Sequence, residues 1–313
     1  MIDLKDKKIL YELSSNARIT NKELAKAIYL SESSTKNRVD NLMEKKIILG
    51  TEPIIDNSKL GYQGYRIYFN FVSTTIKEEE EILEWLKKHK SVSVLAKCSG
   101  NIDVAIMSWV KKRVEFENLI EEIKGHFKDK IDNLEVSIYC ETYHFDRAYL
   151  LEKHQQRKII KIGNNELADF DELDKQILQI LLNDARISIL NISEKLKIPP
   201  RTIAFRVRQM EKKKIIAGYT LNLNHELIDY EYYKLNLMLS GNINKQNLIN
   251  FASSQKNNIY LDVASGKFDL ELNLEVRNKE ELRSIINNVK DTFGGIKQIQ
   301  MFQIEKYLKI SYM

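Results

Sequence analysis

A block of 46 residues occurs twice in this chain, 168 positions apart, and the two copies align without a gap. Residues 6–51 begin Asp6-Lys7-Lys8-Ile9-Leu10 and run through Asn16-Ala17-Arg18-Ile19 and Arg38-Val39 to Lys45-Lys46-Ile47-Ile48-Leu49-Gly50. Residues 174–219 begin Asp174-Lys175-Gln176-Ile177-Leu178 and run through Asp184-Ala185-Arg186-Ile187 and Arg206-Val207 to Lys213-Lys214-Ile215-Ile216-Ala217-Gly218. Fifteen of the 46 positions are identical, and most others keep their apolar or polar character. The chain is therefore a duplication. Its fold must be one that can be built twice, and its function one that a two-headed molecule can use.

The length of 313 residues leaves about 150 per repeat, enough for each to bury a core. The net charge of +5 and pI near 8.8 are compatible with a polyanionic partner but do not demand one. Cys98 and Cys140 form no CxxC pair, which argues against a disulfide framework or a zinc site. Both are expected as reduced thiols inside a β-rich core. Met1 to Lys8 is charged from the start, unlike a signal peptide. Apolar runs such as Val104 to Val110 are too short to span a bilayer. The expected location is the cytoplasm, with no membrane partner.

Each repeat reads as a helical head followed by an α+β body. In the first head, Ile9, Leu10 and Leu13 make one apolar helix face. Thr20 and Glu23 have the spacing of a capping box, and Leu24, Ala25 and Ile28 form the inner face of the helix they open. Ser31 caps a third helix with Val39 and Leu42 inside. In the second head Ser188 caps the second helix, and Pro199-Pro200 opens the third, where a missing amide does no harm. Three short helices followed by Ile47-Ile48-Leu49-Gly50-Thr51 fit a helix-turn-helix ending in a strand or wing.

In the second body Phe268, Leu270, Leu272, Leu274 and Val276 alternate with Asp269, Glu271, Asn273 and Glu275, predicting a strand with one buried and one wet face. Strands at 232–239, 259–264 and 295–304, with helices at 244–254 and 279–293, complete a βαββαβ order. The first body gives the same order: strand 65–73, helix 78–90, strands 92–98 and 102–110, helix 113–127, strand 132–143. This is a ferredoxin-like split βαβ pattern. The predicted domains are a winged head at 1–52, a body at 53–144, a connection at 145–170, a second head at 171–220 and a second body at 221–313. Within the connection, the charged run Glu152–Lys158 is expected as a helix or an extension of the first body, and Gly163-Asn164-Asn165 as linker.

This arrangement resembles the Lrp/AsnC, or feast/famine, family of transcription regulators. The residues that carry the resemblance are Leu173-Asp174-Lys175-Gln176-Ile177-Leu178, Asn183-Asp184-Ala185-Arg186-Ile187-Ser188 and its counterpart Asn16-Ala17-Arg18-Ile19-Thr20. To these are added Arg201-Thr202-Ile203-Ala204-Phe205-Arg206-Val207 and Lys214-Ile215-Ile216-Ala217-Gly218-Tyr219. In the bodies, Gly100-Asn101-Ile102-Asp103 and Gly266-Lys267-Phe268-Asp269 match the Gly-x-x-Asp turn of the family's ligand-sensing RAM domain. The resemblance implies a winged helix-turn-helix plus RAM unit, present twice, binding double-stranded DNA. Typical members are one repeat long and gain two heads by dimerising. This chain looks like a dimer written into one polypeptide, with its RAM domains paired intramolecularly and with room for further homo-oligomerisation.

A recognition helix must offer donors to phosphates and base edges. Residues 201–214 carry a net charge of +5, and residues 32–46 only +1. The DNA-contacting candidates are Arg201, Thr202, Phe205, Arg206, Arg208 and Lys212 in the second head. Those in the first are Ser33, Ser34, Lys36, Asn37 and Arg38. Trailing lysines also serve as solvated helix caps. Arg38 and Arg206 could instead pair with the first-helix aspartates Asp6 and Asp174, and Phe205 could be core or touch a thymine methyl. Reading two half-sites on one face of a duplex needs recognition helices about 34 Å apart, or a multiple. Unequal heads predict an asymmetric operator.

In similar proteins RAM domains bind amino acids, which makes Ser99, Gly100, Asp103, Ser265, Gly266 and Asp269 the effector candidates; the alternative is that they are merely tight β-turns. No cofactor, metal site or catalytic residue is expected. The five histidines (His89, His126, His144, His154, His225) have no metal-ligand spacing, and there is no phosphate loop or nucleophile elbow. Two readings compete with the regulator. One is an enzyme like the two-repeat sirohaem decarboxylases, although the arginine-rich stretch of that branch is missing and His225 has unsupportive neighbours. The other is a ligand sensor whose heads bind protein.

Overall fold

The computed structural model describes residues 2–151, 157–163, 166–240 and 244–311. The first head consists of α1 (Leu4–Ser15), α2 (Asn21–Ile28), α3 (Glu32–Glu44) and β1 (Ile48–Ile55). The first body follows as β2 (Gln63–Phe71), α4 (Ile76–Lys88), β3 (Val94–Gly100), β4 (Val104–Val110), α5 (Arg113–Phe127) and β5 (Ile131–Phe145). A short β6 (Ile159–Ile162) precedes the second head, formed by α6 (Glu172–Asn183), α7 (Ile189–Leu196), α8 (Pro200–Lys212) and β7 (Ile216–Leu223). The second body comprises β8 (Glu231–Leu239), α9 (Lys245–Ser254), β9 (Asn258–Gly266), β10 (Leu270–Val276), α10 (Lys279–Thr292) and β11 (Ile296–Ile310).

The helix starts follow from local chemistry. Asp3 and Asp171 cap α1 and α6, each in a reciprocal box with the acid three residues on, Asp6 or Asp174. Thr20 and Glu23 form the expected box at α2, and Ser31 and Ser188 cap α3 and α7. Pro199 and Pro200 open α8 with no side-chain cap. The apolar faces read from the sequence are the buried ones: Ile9, Leu10, Leu13, Leu24, Ile28, Val39 and Leu42 in one head, Ile177, Leu178, Leu181, Ile192, Ile203 and Val207 in the other.

The strand after each head is not a wing of its own. β1 pairs antiparallel with β7 in a two-stranded ribbon shared by the heads. Leu221 and Leu223 of β7 join the core of the first head, and Ile55 of β1 joins that of the second. Two equivalent bonds fasten the exchange: the Ala17 amide donates to the Tyr219 carbonyl and the Ala185 amide to the Thr51 carbonyl, both at 3.1 Å. Arg186 adds bonds to the Ala17 and Ile19 carbonyls at 2.7 and 2.9 Å. The heads are thus bolted to each other, so the spacing of their recognition helices is set by packed structure.

The bodies merge into one antiparallel barrel in the order β2-β4-β3-β11-β8-β10-β9-β5, closed by β5 pairing with β2; β6 is added outside β5. Two seams join the halves, β3 to β11 and β9 to β5. Helices α4 and α5 cover the apolar outer face of one half, and α9 and α10 that of the other. The opposite faces turn inward, which overturns one expectation. All seven residues of β10 are buried, including Glu271, Asn273 and Glu275. Alternation correctly marked two faces, but the polar one meets the other half of the barrel instead of water.

Other differences are smaller. The strand predicted from Phe268 begins at Leu270, and the last strand runs to Ile310 instead of 304. Cys98 is buried as expected, but Cys140 is exposed on β5. Within 145–170, β6 and a 3-10 turn at Ala148–Leu150 make part of the expected linker ordered structure. Of the charged run expected as helix or extension, Glu152–Gln156 lie outside the described residues, as do Asn164 and Asn165. No described helix is long and apolar enough to cross a membrane.

Candidate nucleic-acid interface

The recognition helices α3 and α8 bury the same face: Thr35, Val39 and Leu42 in one, Ile203, Val207 and Met210 in the other. Their outward faces differ. Positions related by the repeat carry Ser33 and Arg201, Asn37 and Phe205, Asp40 and Arg208, Glu44 and Lys212, all exposed or nearly so. Ser34 and Thr202 are half-buried at the helix starts. The second helix therefore shows three cations and an aromatic ring where the first shows two acids and two neutral groups. Lys36 does not compensate: its ammonium pairs with Asp40 at 2.8 Å, which raises its pKa. Phe205, with 54% of its surface exposed, is not a core residue.

Arg38 and Arg206 play the same part in each head. Arg38 Nη1 donates to Asp3 at 2.8 Å and to Asp6 at 2.7 Å. Arg206 Nη1 donates to Asp171 at 2.7 Å and reaches Asp174 at 3.4 Å. The pairs tie each recognition helix to the start of the first helix, so these guanidiniums, though partly open to solvent, are engaged within the heads. The backbone amide of Asp6 holds the Asp3 carboxyl below its ordinary range, with Arg38 adding to the effect. Asp171 is lowered in the same way by the Asp174 amide and Arg206. Asp174, more deeply set, is raised by burial.

The heads do not differ in total charge. Residues 1–50 and 169–218 each contain ten Lys or Arg and seven Asp or Glu. The contrast is one of placement: the unequal balance of residues 201–214 and 32–46 falls on the exposed helix face. Asp40 and Glu44, which lower the balance of residues 32–46 to +1 in the sequence, are both exposed on α3.

The effector candidates sit at the β3–β4 and β9–β10 turns. Gly100 has a φ of +109°, a conformation that favours glycine. A side chain at Gly266 would come within 2.7 Å of the Val136 carbonyl across a seam. Asp103 accepts from the Phe71 amide at 2.9 Å, and Asp269 from the Leu239 amide at 2.8 Å. Each carboxylate thus clamps its turn to the body's first strand, while Ser265, Gly266 and Asp269 remain exposed and Ser99 half-buried.

Sequence reasoning missed the charged lining of the barrel. Arg66, Lys234, Asp262 and Glu271 meet inside it, with Tyr68 donating to Glu271 and Tyr139 to Asp262. Burial alone would raise the Glu271 carboxyl, but Arg66 and Lys234 beside it bring it down to about 2. The available signal was charge on inward strand positions. A third acid, Glu275, accepts from Arg147 Nε at 2.9 Å. His225 stacks edge-on against Tyr232, and burial lowers its pKa. Among the described residues no group of His, Cys, Asp and Glu could hold a metal ion.

A model of winged helix-turn-helix DNA-binding domains matches residues 2–48 and 170–217. The HTH-type transcriptional regulator LrpA of Pyrococcus abyssi is 34% identical over 134 residues, which are 43% of this chain and 91% of that protein. LrpA of Pyrococcus horikoshii matches to the same extent. Among solved structures, the siroheme decarboxylase NirDL covers 99% of this chain, which in turn covers 93% of it, with a TM-score of 0.65 at 12% identity. That likeness speaks for the two-repeat fold alone. The regulators match nearly their whole length on less than half of this one, as a duplicated chain requires. On its residues and on these relatives, the chain belongs to the Lrp/AsnC family of HTH-type transcriptional regulators, with the family's unit present twice in one polypeptide.

Proposed function

We propose that the chain is a sequence-specific DNA-binding regulator acting as a single-chain pseudo-dimer, whose second head supplies most of the grip. One observation carries this reading: on equivalent outward faces, α8 presents Arg201, Phe205, Arg208 and Lys212 where α3 presents Ser33, Asn37, Asp40 and Glu44. Cations on the exposed face of a helix-turn-helix neutralise phosphates and release counterions, whereas carboxylates there oppose approach. Arg201, Thr202, Phe205, Arg208 and Lys212 are the contacts of the strong half-site, and Ser33, Ser34, Lys36 and Asn37 those of the weak one. Arg38 and Arg206 act indirectly by fixing the helices.

The test is binding to duplex DNA across a salt series, followed by footprinting. Affinity should fall steeply with salt and protection should be lopsided. A slope near zero would favour heads that bind protein, and a symmetric operator bound by one chain would overturn the division of labour. An amino acid or similar effector would meet the exposed turns at Ser99, Gly100 and Asp103 and at Ser265, Gly266 and Asp269; equilibrium dialysis with the common amino acids tests this. The regulator reading includes no catalytic step. Purified chain supplied with sirohaem should release no carbon dioxide, and release would make it an enzyme.

A further inference from the structure

The barrel has a property that strand pairing does not explain. Its two seams are equivalent by the repeat: β5 meets β9 with Ser137 opposite Gly266, and β11 meets β3 with Phe302 opposite Gly100. Backbone ladders of this kind are indifferent to side chains, so a first half could join a first half as easily as a second. The lining is not indifferent. The strand registers place Arg66 and Lys234 at equivalent positions, and the facing pair Ala96 and Ala105 of the first half where the second has the facing pair Asp262 and Glu271. Each half thus contributes one cation, but both acids of the cluster come from the second half.

All four side chains are nearly sealed: Arg66 is 13% exposed, Asp262 4%, Lys234 7% and Glu271 8%. In the barrel as built, the cluster sums to zero, and Arg66 reaches across the interior to both Asp262 and Glu271. At this cluster two first halves would enclose two arginines and no acid. Two second halves would place two lysines and four carboxylates there, and would also bury both copies of Glu275 without Arg147. Either would bury at least two uncompensated charges, a heavy cost away from water. Two further contacts each join one half to the other: Arg147 of the first half on Glu275 of the second has the same polarity, and Lys267 of the second on Glu135 of the first has the reverse.

We infer that the charged lining of the barrel is a pairing determinant: it makes the two halves of this chain each other's obligatory partner and bars either from pairing with its own kind. A fused pseudo-dimer that shares a cell with one-repeat proteins of similar fold would thereby be kept from exchanging halves with them or with further copies of itself.

The arithmetic gives a sharp test. Glu271→Gln combined with Glu275→Gln leaves the native barrel with two excess positive charges but makes the lining of a pair of second halves neutral. A protease site is inserted between the exposed Glu166 and Leu167, the full chain is folded and cut, and the nicked protein is taken through urea and back. Native mass spectrometry should then show the one-to-one pair of unlike halves from the parent, and pairs of second halves appearing only when Glu271→Gln and Glu275→Gln are combined. Pairs of like halves from the parent, or an unchanged preference when Glu271→Gln and Glu275→Gln are combined, would overturn the inference. If the halves do not refold once cut, the intact chain decides. Arg66→Met and Glu271→Gln should each lower the urea midpoint, and the double change, neutral again, should lower it by less than the sum of the two. Additive losses would overturn the inference.

Discussion

The two heads hold ten basic and seven acidic residues each, over residues 1–50 and 169–218, yet they should behave differently toward DNA. In the second head the cations Arg201, Arg208 and Lys212 stand on the outward face of α8. In the first, Lys8, Lys22 and Lys26 are exposed on α1 and α2, while the recognition face shows Asp40 and Glu44. Total charge is thus a poor guide to a binding surface; what counts is which groups project from the helix that meets the groove. The first-helix caps, the buried faces and the Arg38 and Arg206 ion pairs are kept in both heads, while the outward face of the recognition helix has changed in charge.

The comparison can be broken most severely at the second head. Changing Arg201 and Arg208 together to alanine should weaken operator binding by about 1–3 kcal/mol for each base-specific hydrogen-bonding side chain removed, read by fluorescence anisotropy. The matching change of Ser33 and Asp40 to alanine should cost nothing. Equal losses in the two heads would erase the proposed asymmetry.

The reverse experiment equips the first head. Asp40→Arg with Glu44→Lys copies the second head's charges, frees Lys36 from its partner, and should tighten binding. Each phosphate gained steepens the plot of log affinity against log salt by about 0.9. An unchanged slope would mean that the first head does not face the duplex at all.

A smaller effect is expected where the heads agree. Arg38→Met and Arg206→Met should each reduce stability by no more than about 1 kcal/mol, because both pairs are partly open to solvent. The two losses should be similar in urea unfolding. If Arg206→Met abolished DNA binding in a fully folded protein while Arg38→Met did not, Arg206 would be a direct contact.

The smallest effect is a matter of pH. Asp3 and Asp171 are held below 3.8 in the folded chain, so the stability they add is present above that value and is lost as pH falls through their folded values. Asp174 is raised by burial, so near pH 4 it works the other way. Carboxyl titrations by NMR should place Asp3 and Asp171 below 3.8 and Asp174 above it. Asp3 and Asp171 titrating at or above 3.8 would sink the capping argument.

Much of this could be read from the chain. Apolar spacing located the helices because a helix face must be buried along its length, and Thr20 with Glu23 marked a helix start because capping is local chemistry. The duplication foretold two heads and two bodies. The reading helices were legible too, since Arg201 and Arg208 fall in a helix whose inner face, Ile203 and Val207, can be recognised from its period.

What remained hidden depends on interactions between segments far apart in sequence. Glu271 and Glu275 alternate with leucines just as wet-face residues do, and nothing local separates water from a second sheet as the thing they meet. Only closure of the barrel brings Arg66 from 205 residues away to Glu271. The ribbon of β1 with β7 is hidden for the same reason, because a strand's free edge does not announce its partner. Local sequence determined the elements and their buried faces through backbone preference and periodicity. The tertiary structure alone decided which polar faces are enclosed and which head sits over which strand, because those outcomes rest on long-range packing and on the balance of charge in a space that no single repeat can form.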